Sequence, residues 1–218
     1  ISFSDSNRLI GLEPHNPDHY KSRGGLHFSL KNYQQAIDDL TEAIRLKPDD
    51  TSAYCERARA KERVFNNISA YNDLSAAVEL DPEDAYIRVK RAELFEKLGD
   101  YVRAFDDYDL ALELDTECTD AYIGRGLFHF IAGQYEAAGS DFTHAIDLGE
   151  EYADIFNKRG LCREFTQDYI GAVNDHTHAI ELDPDVADYY FDRGQAKVEL
   201  IDFQSALEDF DKAISMDP

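Results

Sequence analysis

The chain of 218 residues carries 45 acidic against 22 basic side chains, a formal net charge of −23. That balance opposes the phosphate contacts that dominate nucleic-acid binding, and no run approaches the ~18 apolar residues that a membrane-crossing helix needs, so neither nucleic acid nor membrane is an expected partner. Three cysteines, Cys55, Cys118 and Cys162, are odd in number and lack paired spacing, which indicates neither a disulfide framework nor a zinc ribbon and fits a reducing cytoplasmic setting.

In chain order, residues 1–16 come first. Leu9, Ile10 and Leu12 ahead of Pro14 predict the closing helix of a preceding repeat whose first helix is absent. With Pro218 closing the last repeat and no polar helix after it, the chain reads as a fragment of a longer protein, because repeat arrays need a cap over the terminal apolar face. From residue 17 onward one unit of 34 residues is copied six times, over 17–50, 51–84, 85–118, 119–152, 153–186 and 187–218. Arginine recurs at Arg23, Arg57, Arg91, Arg125, Arg159 and Arg193, and aspartate follows at Asp39, Asp73, Asp107, Asp141, Asp175 and Asp209. Such a chain buries its core between neighbouring copies rather than around a central pocket, so function is expected on a surface.

Each unit predicts two helices. Small residues hold its eighth position (Gly24, Ala58, Ala92, Gly126, Gly160, Gly194), and alanine holds the twentieth (Ala36 to Ala206) and the twenty-seventh (Ala43 to Ala213). Small residues at these spacings let two helix backbones approach closely. Apolar runs such as Tyr122, Leu127 and Phe130, then Tyr135, Ala138, Phe142 and Ala145, have helical spacing. Turn signals such as Leu98-Gly99-Asp100 and Ala132-Gly133-Gln134 separate the two runs, and Pro48, Pro82, Pro184 and Pro218 mark the ends. In the third unit Arg88 stands where the others carry an aromatic residue, so its first helix is expected to start differently, around Tyr86 and Ile87. Asn67 breaks an aromatic position held by Tyr33, Tyr101, Tyr135, Tyr169 and Phe203, and Thr116 and Glu150 replace the proline.

These positions together resemble the tetratricopeptide repeat from Pro17 to Pro218. The resemblance implies an all-α fold, a right-handed superhelical solenoid of antiparallel helix pairs, and a non-catalytic scaffold that binds a partner's peptide or helix in its concave groove. It also implies that the arginine position faces inward. Sixteen residues separate each Arg from its Asp, which places the partners on facing helices and predicts a structural ion-pair ladder, closed across the hairpin or to the adjacent unit.

In the family the groove is lined by positions two, five, six, nine, twelve and thirteen of the first helices. In the first three units these give Asp18, Lys21, Phe28, Cys55, Glu56, Arg59, Glu62, Arg63, Lys90, Glu93 and Lys97, a mixed charged lining. In the later units they give Ile123, Leu127, Phe130, Ile131, Leu161, Phe165 and Phe191, with Lys158, edged by Asp120, Asp154 and Asp188. The later set is the expected peptide-binding groove, taking a ligand with apolar anchors and basic flanks; the alternative is that some of these side chains pack under a neighbouring helix. The family's clamp for acidic chaperone termini is matched by Lys21 but not by Gly25, Glu56 or Tyr86, and an asparagine ladder is missing.

No phosphate loop, nucleophile turn or paired metal motif is present, and no cofactor is expected. His144, His176 and His178 are the nearest approach to a metal set, but His176 holds a core position and reads as a packed histidine. Two other functions stay open: an assembly module that self-associates end to end through its terminal repeats, and a regulatory part of a larger enzyme.

Overall fold

A computed structural model describes residues 3–149 and 151–216; the readings at Ile1, Glu150 and Pro218 fall outside them. The described residues form thirteen α-helices and no strand, and none of the helices is long and apolar enough to cross a membrane. The chain divides into two compact units, residues 1–115 and 116–218. Unit 1 holds α1 (Phe3–Leu12), α2 (Pro17–Ser29), α3 (Tyr33–Leu46), α4 (Thr51–Arg63), α5 (Asn67–Leu80), α6 (Ala85–Lys97) and α7 (Tyr101–Leu114). Unit 2 holds α8 (Thr119–Ile131), α9 (Tyr135–Asp147), α10 (Ala153–Phe165), α11 (Tyr169–Leu182), α12 (Ala187–Glu199) and α13 (Phe203–Met216).

Within each unit successive helices pack as antiparallel pairs, and each second helix packs on the first helix of the next pair. Helices of 13–14 residues are marginal alone in water, so this stacking supplies their stability. The starts are capped by the acids that crowd the sequence: Asp50, Asp84, Asp100 and Asp168 accept backbone N–H bonds from Ala53, Ile87, Arg103 and Gly171. Every hairpin turns through one residue in the left-handed region, Lys31, Phe65, Gly99, Gly133, Gln167 or Ile201. At the first of these the N–H of Asn32 donates to the carbonyl of His27 and satisfies an end of α2.

The alanines at the repeated positions are buried, as are Leu40, Leu74, Tyr108 and Phe142 beneath them. At the eighth position, an added Cβ at Gly126, Gly160 or Gly194 would lie 2.6–2.8 Å from the Phe142, His176 or Phe210 ring. The third pair departs from expectation. Its first helix starts at Ala85, in register with Thr51 and Ala187. Arg88 does not shift it, because the guanidinium donates to the carbonyl of Pro82 at 2.8 Å, the bond that the Tyr20 and Tyr190 hydroxyls donate to Pro14 and Pro184.

Candidate protein-binding surfaces

All six arginines meet their aspartates across the hairpin with two parallel bonds, Nε to Oδ2 at 2.7–3.0 Å and Nη2 to Oδ1 at 2.6–2.7 Å. Each aspartate is buried. The same guanidinium also reaches backward: Nη1 of Arg23 donates to Asn7 on α1, and Nη1 of Arg57 and Arg193 to Thr41 and Thr177 on the second helix of the preceding pair. Of the two pairings left open by the spacing, the ion pairs close within the hairpin, and the bond to the neighbouring helix goes to a neutral side chain instead of an aspartate.

A third member of this network escaped sequence reading. Four positions after each arginine stand His27, Lys61, His129, Arg163 and Lys197, and these bring a second base to the aspartate, at 2.7 Å for Lys61–Asp73 and Lys197–Asp209, 2.8 Å for Arg163–Asp175, and 3.8–3.9 Å for the histidines. The third pair has Phe95 there instead, and Arg88 where the others carry an aromatic. The two have changed places. Arg88 lies 3.7 Å from Asp107, and Arg91 faces the Phe95 ring at 5.9 Å, whereas Arg57 and Arg159 face Tyr54 and Phe156 at 5.6 and 5.5 Å. The signal was present in the sequence as two coincident exceptions in one repeat.

Unit 1 contains a cleft of about 1080 Å³ along α2, α4 and α6. Phe28, Glu56, Arg59, Glu62, Arg63, Lys90, Glu93 and Lys97 line it, the charged set that the repeat positions indicate. Burial pushes the Glu56 carboxyl above its ordinary range, against the pull of Lys21. Cys55 lies in the same lining, and burial pushes its thiol up to about 11, as it pushes Cys162 in unit 2 up to about 12; neither is a ready nucleophile.

The expected groove residues fall in unit 2 and divide into two groups. Ile123, Leu127 and Phe130 are half-buried against the cluster of Ala138, Phe142, Ile155 and Cys162, so these three pack under their neighbours. Leu161 is also half-buried. Ile131 is 76% exposed, and Phe165 and Phe191 are exposed as well, each with a ring neighbour. Phe165 stacks on Tyr135 with ring centroids 3.9 Å apart, Phe130 meets the same ring edge-on, and Lys158 lies over Phe130 at 5.7 Å. Asp120, Asp154 and Asp188 are exposed at the starts of the same three helices, α8, α10 and α12.

Below this face His176 is fully buried where other pairs carry Leu, Tyr or Phe. Its Nδ1 lies 2.6 Å from Asn157 Oδ1 and its Nε2 2.8 Å from Glu164, while Asn157 donates to Asp192. Burial raises the Asp192 carboxyl, and the bond from Asn157 opposes the shift. His144 and His178 are turned apart, one stacked on Tyr122 and the other against Phe156. Among the described residues no three His, Cys, Asp or Glu side chains converge as metal ligands.

Paired helices of fixed length, small residues at the crossings and a surface lined by first helices define a repeat scaffold. Models of the tetratricopeptide repeat match residues 17–50, 69–117 and 187–218, over half of the sequence, and the chain belongs to the tetratricopeptide repeat family. No curated protein matches it in sequence. Among solved structures it is similar to MamA from Desulfovibrio magneticus RS-1, with 20% identity over 76% of this chain and 94% of that one and a TM-score of 0.69. It is similar also to YrrB, with 19% identity over 83% and 93% and a TM-score of 0.65. A tetratricopeptide repeat protein from Parabacteroides merdae ATCC 43184 aligns at 21% identity over 99% and 85%, with a TM-score of 0.68. At these identities the likeness is one of fold.

Proposed function

We propose that the chain is a non-catalytic scaffold that holds a peptide or helix of a partner protein on the first helices of its pairs. In unit 2 the seat is formed by Ile131, Phe165 and Phe191, with Lys158 and Leu161 between them and Ile123, Leu127 and Phe130 as its floor. The observation that carries the reading is the retention of large exposed apolar side chains on all three first helices, α8, α10 and α12, where polar residues would cost the fold nothing. The exposed rim of Asp120, Asp154 and Asp188 favours basic residues on either side of the ligand's apolar anchors. YrrB is described as a TPR protein with an unusual peptide-binding site, a precedent within this fold for recognition of a peptide.

Selection from a random peptide library on the immobilised chain tests the reading. Enriched sequences should pair aromatic or aliphatic anchors with lysine or arginine, and an Ile131→Ser, Phe191→Ser variant should lose them while keeping its helical circular dichroism. Peptides without basic enrichment, retained equally by the variant, would exclude this face.

A further inference from the structure

Both ring nitrogens of the buried His176 face oxygen, Nδ1 at 2.6 Å from Asn157 Oδ1 and Nε2 at 2.8 Å from Glu164 Oε1. A third contact assigns the roles. The Asn157 amide nitrogen donates to Asp192 Oδ2 at 2.9 Å, so its Oδ1 can only accept and Nδ1 of the ring is the donor. A neutral imidazole that donates from Nδ1 carries a lone pair at Nε2. That lone pair would meet a Glu164 carboxylate with no hydrogen between them, leaving two acceptors unsatisfied away from water. The contact needs one more proton.

The surrounding charges favour it. Glu164 and Asp192 are both half-buried, and among the described residues neither has a lysine or arginine partner. The bases nearby are committed elsewhere: Arg159 and Arg163 of α10 close on Asp175 of α11, and Arg193 of α12 closes on Asp209. Burial raises the Asp192 carboxyl, and the charges of Glu164 and Asp188 add to the shift, while Asn157 and His176 oppose it. Two carboxylates thus converge on one imidazole, a setting that stabilises a bound proton.

We propose that Glu164, His176, Asn157 and Asp192 form a proton-operated clasp, in which one proton held between His176 Nε2 and Glu164 ties α10 to α11 and, through Asn157, to α12, and whose loss on the alkaline side loosens unit 2. Glu164 and Asp192 adjoin Phe165 and Phe191 in sequence, so the clasp joins two of the helices that carry the exposed rings. Its hold does not depend on what those rings bind.

An unfolded chain releases a histidine proton at about pH 6.5, whereas the folded cluster keeps its proton to higher pH. Stability contributed by the clasp is therefore complete below that value and is lost as pH rises through the folded one. Glu164→Gln supplies the missing hydrogen without a charge, because its amide nitrogen can donate to Nε2 of a neutral ring. The folded variant holds His176 neutral, so it loses stability as pH falls and the unfolded histidine becomes charged.

Folding constants of the parent and Glu164→Gln are measured by urea unfolding from about pH 5.5 to about pH 8.5, a range that spans histidine titration. The ratio of parent to variant should fall by up to about tenfold per pH unit, the parent being more stable at the acid end and the variant at the alkaline end. His176→Phe is a second probe, since the Phe142 and Phe210 rings sit over Gly126 and Gly194 as His176 sits over Gly160. It should lose less stability than the parent above about pH 6.5. Parallel profiles for parent and Glu164→Gln, a Glu164→Gln less stable than the parent at the alkaline end, or a His176→Phe profile as steep as the parent's would overturn the proposal.

Discussion

Phe95→Lys and Arg88→Tyr together would return the third pair to the arrangement of the other five, and the two changes should not add. Phe95 is buried, packs on Tyr71 at 5.5 Å and lies under Arg103 at 4.4 Å, so Phe95→Lys alone removes a core aromatic and sets a third cation beside Arg91 and Arg88, at a cost of about 3 kcal/mol. Arg88→Tyr alone can keep the bond to the Pro82 carbonyl, as Tyr20 and Tyr190 do in their own pairs. It loses the 3.7 Å contact with Asp107, worth about 1 kcal/mol. In the double variant the new amine can reach Asp107 as Lys61 reaches Asp73 at 2.7 Å, and the new ring lies beneath Arg91. The pair should therefore recover about 1–2 kcal/mol of the summed losses. Urea unfolding of the four proteins, followed by circular dichroism, measures this coupling. Additivity within about 0.5 kcal/mol would refute the exchange and leave Arg88 and Phe95 as unrelated exceptions.

Removing a ladder arginine should cost most where the second base is farthest from the aspartate. Arg125→Ala, with His129 at 3.9 Å from Asp141, is expected to lose about 3 kcal/mol, and Arg159→Ala, with Arg163 at 2.8 Å from Asp175, about 2 kcal/mol; equal melting curves for both variants and the parent would contradict the network. Ile201→Gly relieves a β-branched residue at φ 63° that is 74% exposed, and should raise stability by about 1 kcal/mol in the same assay. Burial alone would raise the Asp209 carboxyl, but the bonds from Arg193 and Lys197 outweigh it and hold the group below its ordinary value. A depressed carboxyl contributes stability above the unfolded value of about 3.9 and loses it as pH falls through the lower folded one. Lys197→Gln should therefore flatten the acid-side loss of thermal stability below about pH 4.

The helix pairs were legible because they are repeated: one copy of an alanine at position twenty means little, and six fix both helices and the turn between them. What could not be read was compensation inside a single copy. Arg88 alone suggests a displaced helix start, and only Phe95, about two helical turns on, shows that a base and a ring have been exchanged. The site was legible as a list of positions but not as depths. Leu127 and Ile131 both fall on the groove list, yet one packs on Phe142 and the other stands in solvent, a difference set by how closely adjacent helices approach.

The backward reach of Arg57 and Arg193 to Thr41 and Thr177 makes one guanidinium count twice, once in the intrinsic free energy of its own hairpin and once in the interface with the hairpin before it. Linear arrays unfold as a unit only while the interface contribution is large relative to the differences among individual repeats. Each such arginine therefore sets the width of the unfolding transition as well as its midpoint, and a chain that loses one should fray from that joint.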